Sequence, residues 1–259
     1  MLCYHRQVKE EPAEGFLFDG FFRRGKYMAK RKFYIICGHY GCGKSNYSVN
    51  LALKLAKEGR KVLLCDLDLV NPYFLSSACE DILKENGVRV ISTLYANTNV
   101  ETPALPPDLN LVFETDSDVV MDVGGDDAGA VVLGRYAHYI EKIDYEMIYV
   151  VNKYRNLTAT VEDTVQILKE IEAASRCKAT GVLNNSHLKQ ETTWETIKDS
   201  LHYADETAKV LGLEMEGVTV PSYLLEDDRV KEEIKTLNRT FIPVDIYVKA
   251  PWEYPEFNV

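Results

Sequence analysis

From Phe33 onward, short apolar runs alternate with stretches whose apolar residues recur at helical spacing. Runs near 33–37, 61–66, 88–92, 119–123, 146–151, 178–184 and 216–220 predict strands: each is short and ends in turn-forming residues. Two intervening segments carry a clear helical period. Val49, Ala52, Leu53 and Ala56 fall at i, i+3, i+4 and i+7, and Gly59 supplies the stop. Trp194, Ile197, Leu201, Ala204, Ala208 and Leu211 recur every three or four residues, with Thr192 and Glu195 as a capping box and Gly212 past the end. Those six are predicted core rather than site. Strand and helix in regular alternation predict an α/β protein with a mainly parallel sheet and helices on both faces, a three-layer arrangement.

The period fails in two places. Between Thr93 and Pro107 the chain reads "TLYANTNVETPALPP", a loop longer than most connections in compact domains. Residues 1–27 mix aromatics with glycine and have no sustained period. They are expected to be a non-native or disordered extension, with the natural start at Met28 and residues 28–259 forming a single domain. A net charge of −10 is the wrong sign for general affinity to phosphate backbones or anionic lipid, so neither nucleic acid nor membrane is an expected partner. No apolar run approaches the roughly 20 residues of a spanning helix, which predicts a cytoplasmic protein. The six cysteines form no C-x-x-C pair and read as buried free thiols.

Directly after the apolar run "FYIIC" comes "GHYGCGKS", residues 38–45, which fits G-x-x-x-x-G-K-[ST]. A phosphate cradle needs a strand before it and a helix after it. Glycines let backbone N–H groups turn inward, and the helix N-terminus adds its positive dipole. Both flanking elements are predicted here. Gly38, His39, Tyr40, Gly41, Cys42, Gly43, Lys44, Ser45 and Asn46 therefore form the candidate nucleotide-binding segment. Lys44 would reach the β- and γ-phosphates, and the Ser45 hydroxyl would ligate Mg²⁺. Carboxylates at strand ends complete a magnesium site. "LLCDLDLVNPYF" offers Asp66 and Asp68, two apart and on one face if both are extended. "VVMDVGGDDAG" places Asp122 where a Walker B aspartate stands, with Gly125 completing a D-x-x-G turn.

A P-loop, then "DLD", then "DVGGD" resembles the MinD/ParA group of P-loop ATPases, relatives of the nitrogenase iron protein and of the cobyrinate and dethiobiotin ligases. The resemblance spans roughly residues 32 to 240. "GHYGCGKSN", "DLDLVNPYF", "PALPPD", "DVGGDDAGAVVLGRY" and "NNSHLKQETT" are similar to a clostridial-type set of stand-alone CobQ/CobB/MinD/ParA nucleotide-binding domains. The resemblance implies a P-loop NTPase fold, with Asp68 orienting and deprotonating the attacking water and Asp66 helping to hold the metal. It also exposes a departure. The signature lysine, which follows the first glycine of the loop and reaches across a dimer, is here His39.

The base is read from two strand ends. "VVNKYRN" resembles the N-K-x-D element of GTPases, but the position that must accept two hydrogen bonds from guanine is Arg155, and a guanidinium has only donors. "GVLNNSH" resembles the strand end where an asparagine amide contacts adenine, with Asn185 at the matching place. These readings converge on a Mg·ATP-binding ATPase acting as a nucleotide-dependent switch on a protein partner, with a nucleotide-dependent homodimer as a further partner state. Tyr73 and Phe74 are candidate partner contacts. Two alternatives stay open: an ATP-dependent small-molecule ligase, and a near-inactive ATP sensor suggested by His39.

Overall fold

Parallel strands covered on both faces need apolar side chains in both directions, which is why the strand runs are continuous rather than alternating. The computed structural model describes residues 30–67, 77–91, 107–125 and 127–248. Its first half runs β1 (Phe33–Cys37), α1 (Lys44–Lys57), β2 (Val62–Leu67), α2 (Ser77–Glu85), β3 (Arg89–Ile91), α3 (Leu111–Glu114) and β4 (Asp118–Val123). After α4 (Asp127–Arg135) and α5 (Ala137–Ile140) come β5 (Glu146–Val151), α6 (Val161–Ser175), β6 (Gly181–Asn184), α7 (Trp194–Leu211), β7 (Glu214–Pro221), α8 (Asp228–Thr236) and β8 (Phe241–Val244). Among the described residues the eight strands form one sheet in the order β3-β2-β4-β1-β5-β6-β7-β8, and every pairing is parallel.

Successive side chains of β1 serve opposite layers. Phe33, Ile35 and Cys37 pack with Ala130, Leu133, Leu168 and Ala204 of α4, α6 and α7. Tyr34 and Ile36 pack with Val49, Ala52, Leu53 and Leu83 of α1 and α2. A third cluster joins Trp194 and Ile197 of α7 to Val218, Val220, Val230, Ile234 and Phe241 at the β7–β8 edge. The helix residues expected in the core are all buried or half-buried in these layers.

Two local readings change. The α7 cap is one residue later than expected: the Thr193 hydroxyl accepts the N–H of Thr196 at 3.2 Å, and the Thr193 N–H donates to the Thr196 hydroxyl at 3.2 Å. Thr192 points inward instead, where its hydroxyl accepts the Leu188 N–H at 2.8 Å and donates to the Lys189 carbonyl at 2.7 Å. The edge strand β8 was not anticipated because it is four residues long and contains Pro243, which an edge tolerates and a central strand does not. The five described cysteines are buried, with no disulfide among the described residues. No described helix is long and apolar enough to cross a membrane. Residues 1–29 and most of the 93–107 loop lie outside the described residues, as do Tyr73 and Phe74.

Candidate functional site

β1 sits between β4 and β5 in the middle of the sheet, and at its C-terminal end the chain turns through Gly38–Gly43 into α1. Gly43 is the N-cap, at φ 91°, and no side chain caps the helix. The first N–H groups of α1 are therefore left for a ligand. Only glycine serves here, because a Cβ on Gly43 would lie 2.2 Å from Nδ2 of Asn185. That same Nδ2 donates to the Cys42 carbonyl at 2.7 Å, so the end of β6 grips the loop directly. Lys44 is buried, and its ammonium folds back to donate to the His39 carbonyl at 3.1 Å. Gly125 comes close to the same ammonium: a Cβ there would stand 2.7 Å from Lys44 Nζ and 2.5 Å from the Tyr40 nitrogen. The D-x-x-G turn and the P-loop are thus in contact.

The carboxylates follow from register. Asp66 on β2 and Asp122 on β4 are paired positions on neighbouring strands, so their Cα atoms are about 5 Å apart. Both are buried. Their neighbours Leu64 and Val120, two residues before them, pack toward α1, so both carboxylates share the face that carries Ser45. Asp68 lies outside the described residues. No group of three or more histidine, cysteine or acidic side chains able to hold a metal occurs among the described residues. Two carboxylates and the Ser45 hydroxyl are nonetheless an all-oxygen donor set, the type that suits Mg²⁺.

Beside the P-loop opens a cavity of about 470 Å³, walled by residues 40–46, Asn152, Arg155, Asn185, the 187–191 segment, Ile246 and Val248. Asn46 holds the last two in place. Its Nδ2 donates to the Asp245 carbonyl at 2.9 Å, and its Oδ1 accepts the N–H groups of Tyr247 and Val248 at 2.9 and 3.2 Å. Asn152 accepts the Tyr154 N–H at 2.9 Å and donates to the His187 carbonyl at 3.3 Å. The exposed Arg155 side chain lies alongside Gly41, where a Cβ would meet its Nε at 3.5 Å. Apolar surface, a planar guanidinium and a P-loop thus share one cleft.

A CobQ/CobB/MinD/ParA nucleotide binding domain pattern matches residues 34–238, which is most of the chain. The chain belongs to this family. No curated protein matches it. Among solved structures, the signal recognition particle 54 kDa protein from Aeropyrum pernix, in complex with GDP, superposes with a TM-score of 0.50 at 14% identity. That match covers 74% of this chain and 42% of the other. Cell division protein FtsY from Thermotoga maritima gives a TM-score of 0.49 at 18% identity, covering 73% of this chain and 62% of that one. The chain spans less than two thirds of the length of either. The family match and the first of these superpositions show the fold, that of a P-loop NTPase.

Within this CobQ/CobB/MinD/ParA domain the candidate residues take different stations. Gly38 to Ser45, Asp66, Asp122 and Gly125 gather at one edge of the sheet around β1. His39 lines a separate depression with Gly125 and residues of α6, and burial together with the Lys44 ammonium holds its ring below the usual histidine range. It stands at the position where the resemblance led to the expectation of a lysine. Asn185 is only 2% exposed, and its Oδ1 accepts from the Thr219 hydroxyl at 2.5 Å. Asn184 turns away to Ser200, donating to its hydroxyl at 2.9 Å. Sequence reasoning missed His187, Ile246 and Val248. The polar run "NNSH" was the available signal for the first; nothing local marks the other two.

Proposed function

We propose that this domain binds Mg·ATP and hydrolyses it to ADP and phosphate, and that the change of state alters its affinity for a protein partner. The uncapped N-terminus of α1, with Lys44 buried beside it and the Asp66–Asp122 pair on the same face, carries the reading. Such an arrangement suits a polyphosphate: backbone N–H groups and an ammonium meet the anionic oxygens while carboxylates stand ready for a cation. Ser45, Asp66 and Asp122 would hold Mg²⁺. When bound, the ion neutralises charge on the phosphate oxygens.

Each residue then has a limited task, because phosphoryl transfer needs positioning and charge neutralisation more than a strong base. Lys44 leaves the His39 carbonyl and binds the terminal phosphates. The Gly125 N–H would sense the γ-phosphate. Asp68 orients the attacking water and takes its proton as the P–O bond to the leaving ADP breaks. Loss of the γ-phosphate releases the turn after Asp122 and the segment after Asp66, which is how such switches report nucleotide state. Adenine is favoured over guanine because Arg155 has no acceptor to offer the guanine edge.

The test compares wild-type protein with Lys44→Ala and Asp68→Ala. Wild type is expected to release phosphate from Mg·ATP, Lys44→Ala to lose ATP binding by at least a hundredfold, and Asp68→Ala to bind ATP without cleaving it. Light scattering on Asp68→Ala with and without Mg·ATP then reads self-association. A rise in mass places the switch in a homodimer despite His39, and a constant mass places it on a heterologous partner. Turnover that appears only on adding a small carboxylic acid would replace the switch by a ligase.

A further inference from the structure

The α1 face of the sheet is covered unevenly. Tyr34 and Ile36 of β1, Leu64 of β2 and Val120 of β4 lie in one layer with α1 and α2. Beyond β1 the same layer holds Ile148 of β5, Leu183 of β6 and Ile242 and Val244 of β8, and no further helix joins it among the described residues. Apolar strand surface without a helix of its own leaves a gap. A cavity of about 580 Å³ lies between α1 and this part of the sheet, with Tyr47 and Leu51 on one side and Ile148, Ile242 and Pro243 on the other. A pocket of this size, walled largely by aliphatic and aromatic side chains, is the usual form of a small-molecule site.

This cavity and the one beside the P-loop share a wall. Asp245 and Tyr247 line the first, whereas Ile246 and Val248 line the second, so alternate residues of one short strap serve the two spaces. α1 fixes the strap. Asn50 Oδ1 accepts the Asp245 N–H at 2.8 Å and Asn50 Nδ2 donates to the Asp245 carbonyl at 2.9 Å, one turn beyond the Asn46 clamp. Asn46 itself follows Ser45 directly. Charge on the lining selects the ligand. The Asp245 carboxylate accepts from the Tyr247 hydroxyl at 3.2 Å, Glu58 stands 3.9 Å from the Lys54 ammonium, and Arg239 holds Asp205 through two bonds of 2.6 Å. The exposed Lys57 has no ion pair among the described residues, which leaves an ammonium at the rim of a largely apolar space. We propose that this cavity binds a small carboxylate with an apolar body, and that the strap carries its occupancy to the cavity beside the P-loop. It is a second site, and it stands whatever the P-loop binds.

Calorimetry on the full chain with octanoate and octylammonium, which share one apolar chain and differ in the sign of the head group, tests the site. Wild type is expected to bind octanoate about tenfold more tightly than octylammonium at low ionic strength. Lys57→Glu, a change on an exposed side chain, should reverse that order. Ile242→Trp, which fills the cavity, should abolish binding of both. Equal affinity for the two probes, no binding of octanoate, or octanoate binding left unchanged by either variant would each overturn the proposal. If Ile242→Trp fails to fold, Lys57→Glu decides. The link through the strap is read by NMR without nucleotide: saturating octanoate should shift the methyl resonances of Ile246 and Val248, and Lys57→Glu should need more octanoate for the same shift. Unmoved methyls in wild type saturated with octanoate would overturn the link. Because no arm uses nucleotide, a P-loop that failed to bind ATP would leave each of these results standing.

Discussion

Asp118 and Asp122 lie on the same strand, face the same layer and are buried to similar depth, 3% and 1% exposed. What stands opposite each of them differs. Asp118, at the start of β4, forms an ion pair with Arg60, with one Arg60 Nη at 2.6 Å, and accepts the Lys32 N–H at 2.8 Å. Asp122, at the other end, has Asp66 as its register partner, so a second carboxylate stands where Asp118 finds a guanidinium. Asp122 falls inside the strand predicted over 119–123, and Asp118 lies one residue before it. What distinguishes the two positions is what the fold sets opposite them: a guanidinium for Asp118, and a second buried carboxylate, Asp66, in register with Asp122.

The largest way to break this comparison is Asp122→Asn. Turnover is expected to fall by about a hundred- to a thousandfold in a phosphate-release assay, with thermal stability in the absence of nucleotide unchanged or raised. Asp118→Ala should do the reverse. Leaving Arg60 without its partner is expected to cost about 3–5 kcal/mol, or roughly 8–15 °C in melting temperature, while nucleotide affinity measured on the folded fraction stays near wild type. If both variants lost stability alike, the division between the two ends of β4 would be wrong.

A gentler test uses pH. Glu216 on β7 is held at a pKa of about 7 by burial and by the negative charges of Glu146 and Glu214, with Lys32 opposing. Because the folded value is raised, its favourable contribution is fully present below the ordinary glutamate range and is lost as pH rises through about 7. Glu216→Gln should therefore match wild type near pH 4 and exceed its stability by about 1–2 kcal/mol at pH 8, a figure reduced for partial solvent screening. Denaturant melts at the two pH values decide it. The smallest expected effect is at the α7 cap, where Thr193→Ala should cost about 1 kcal/mol and Thr192→Ala should leave the helix start intact. Equal helix fraying in the two variants by hydrogen exchange would contradict the cap seen here.

The candidate phosphate end was legible because its residues are contiguous. Gly38 to Ser45 lie within one turn between a strand and a helix, the spacing that a backbone cradle for phosphate requires. Asp66 and Asp122 were nearly as plain, since each closes an apolar run. The candidate base end was less so. Asn185 stands out in sequence for a contact with adenine; what the sequence does not show is that its amide also bonds Cys42 and Thr219, 143 and 34 residues away. The run "NNSH" marked His187 only as part of a strand-end turn, because the orientation of its ring exists only once the Lys189 N–H has bound Nδ1.

Alternating strand and helix patterns, the P-loop and the strand-end acids were determined by sequence alone, because local backbone preferences and short-range spacing dictate them. Only the tertiary structure decided the rest: that β4 lies between β1 and β2, setting Asp122 beside Asp66, and that β6 lies close enough to β1 for Asn185 to hold the phosphate loop. It also decided that Asn46 clamps Tyr247 and Val248 across some two hundred residues of chain. Contacts of that range depend on strand order and on which polar groups are left over after the core has closed. Neither is written in any short stretch of sequence.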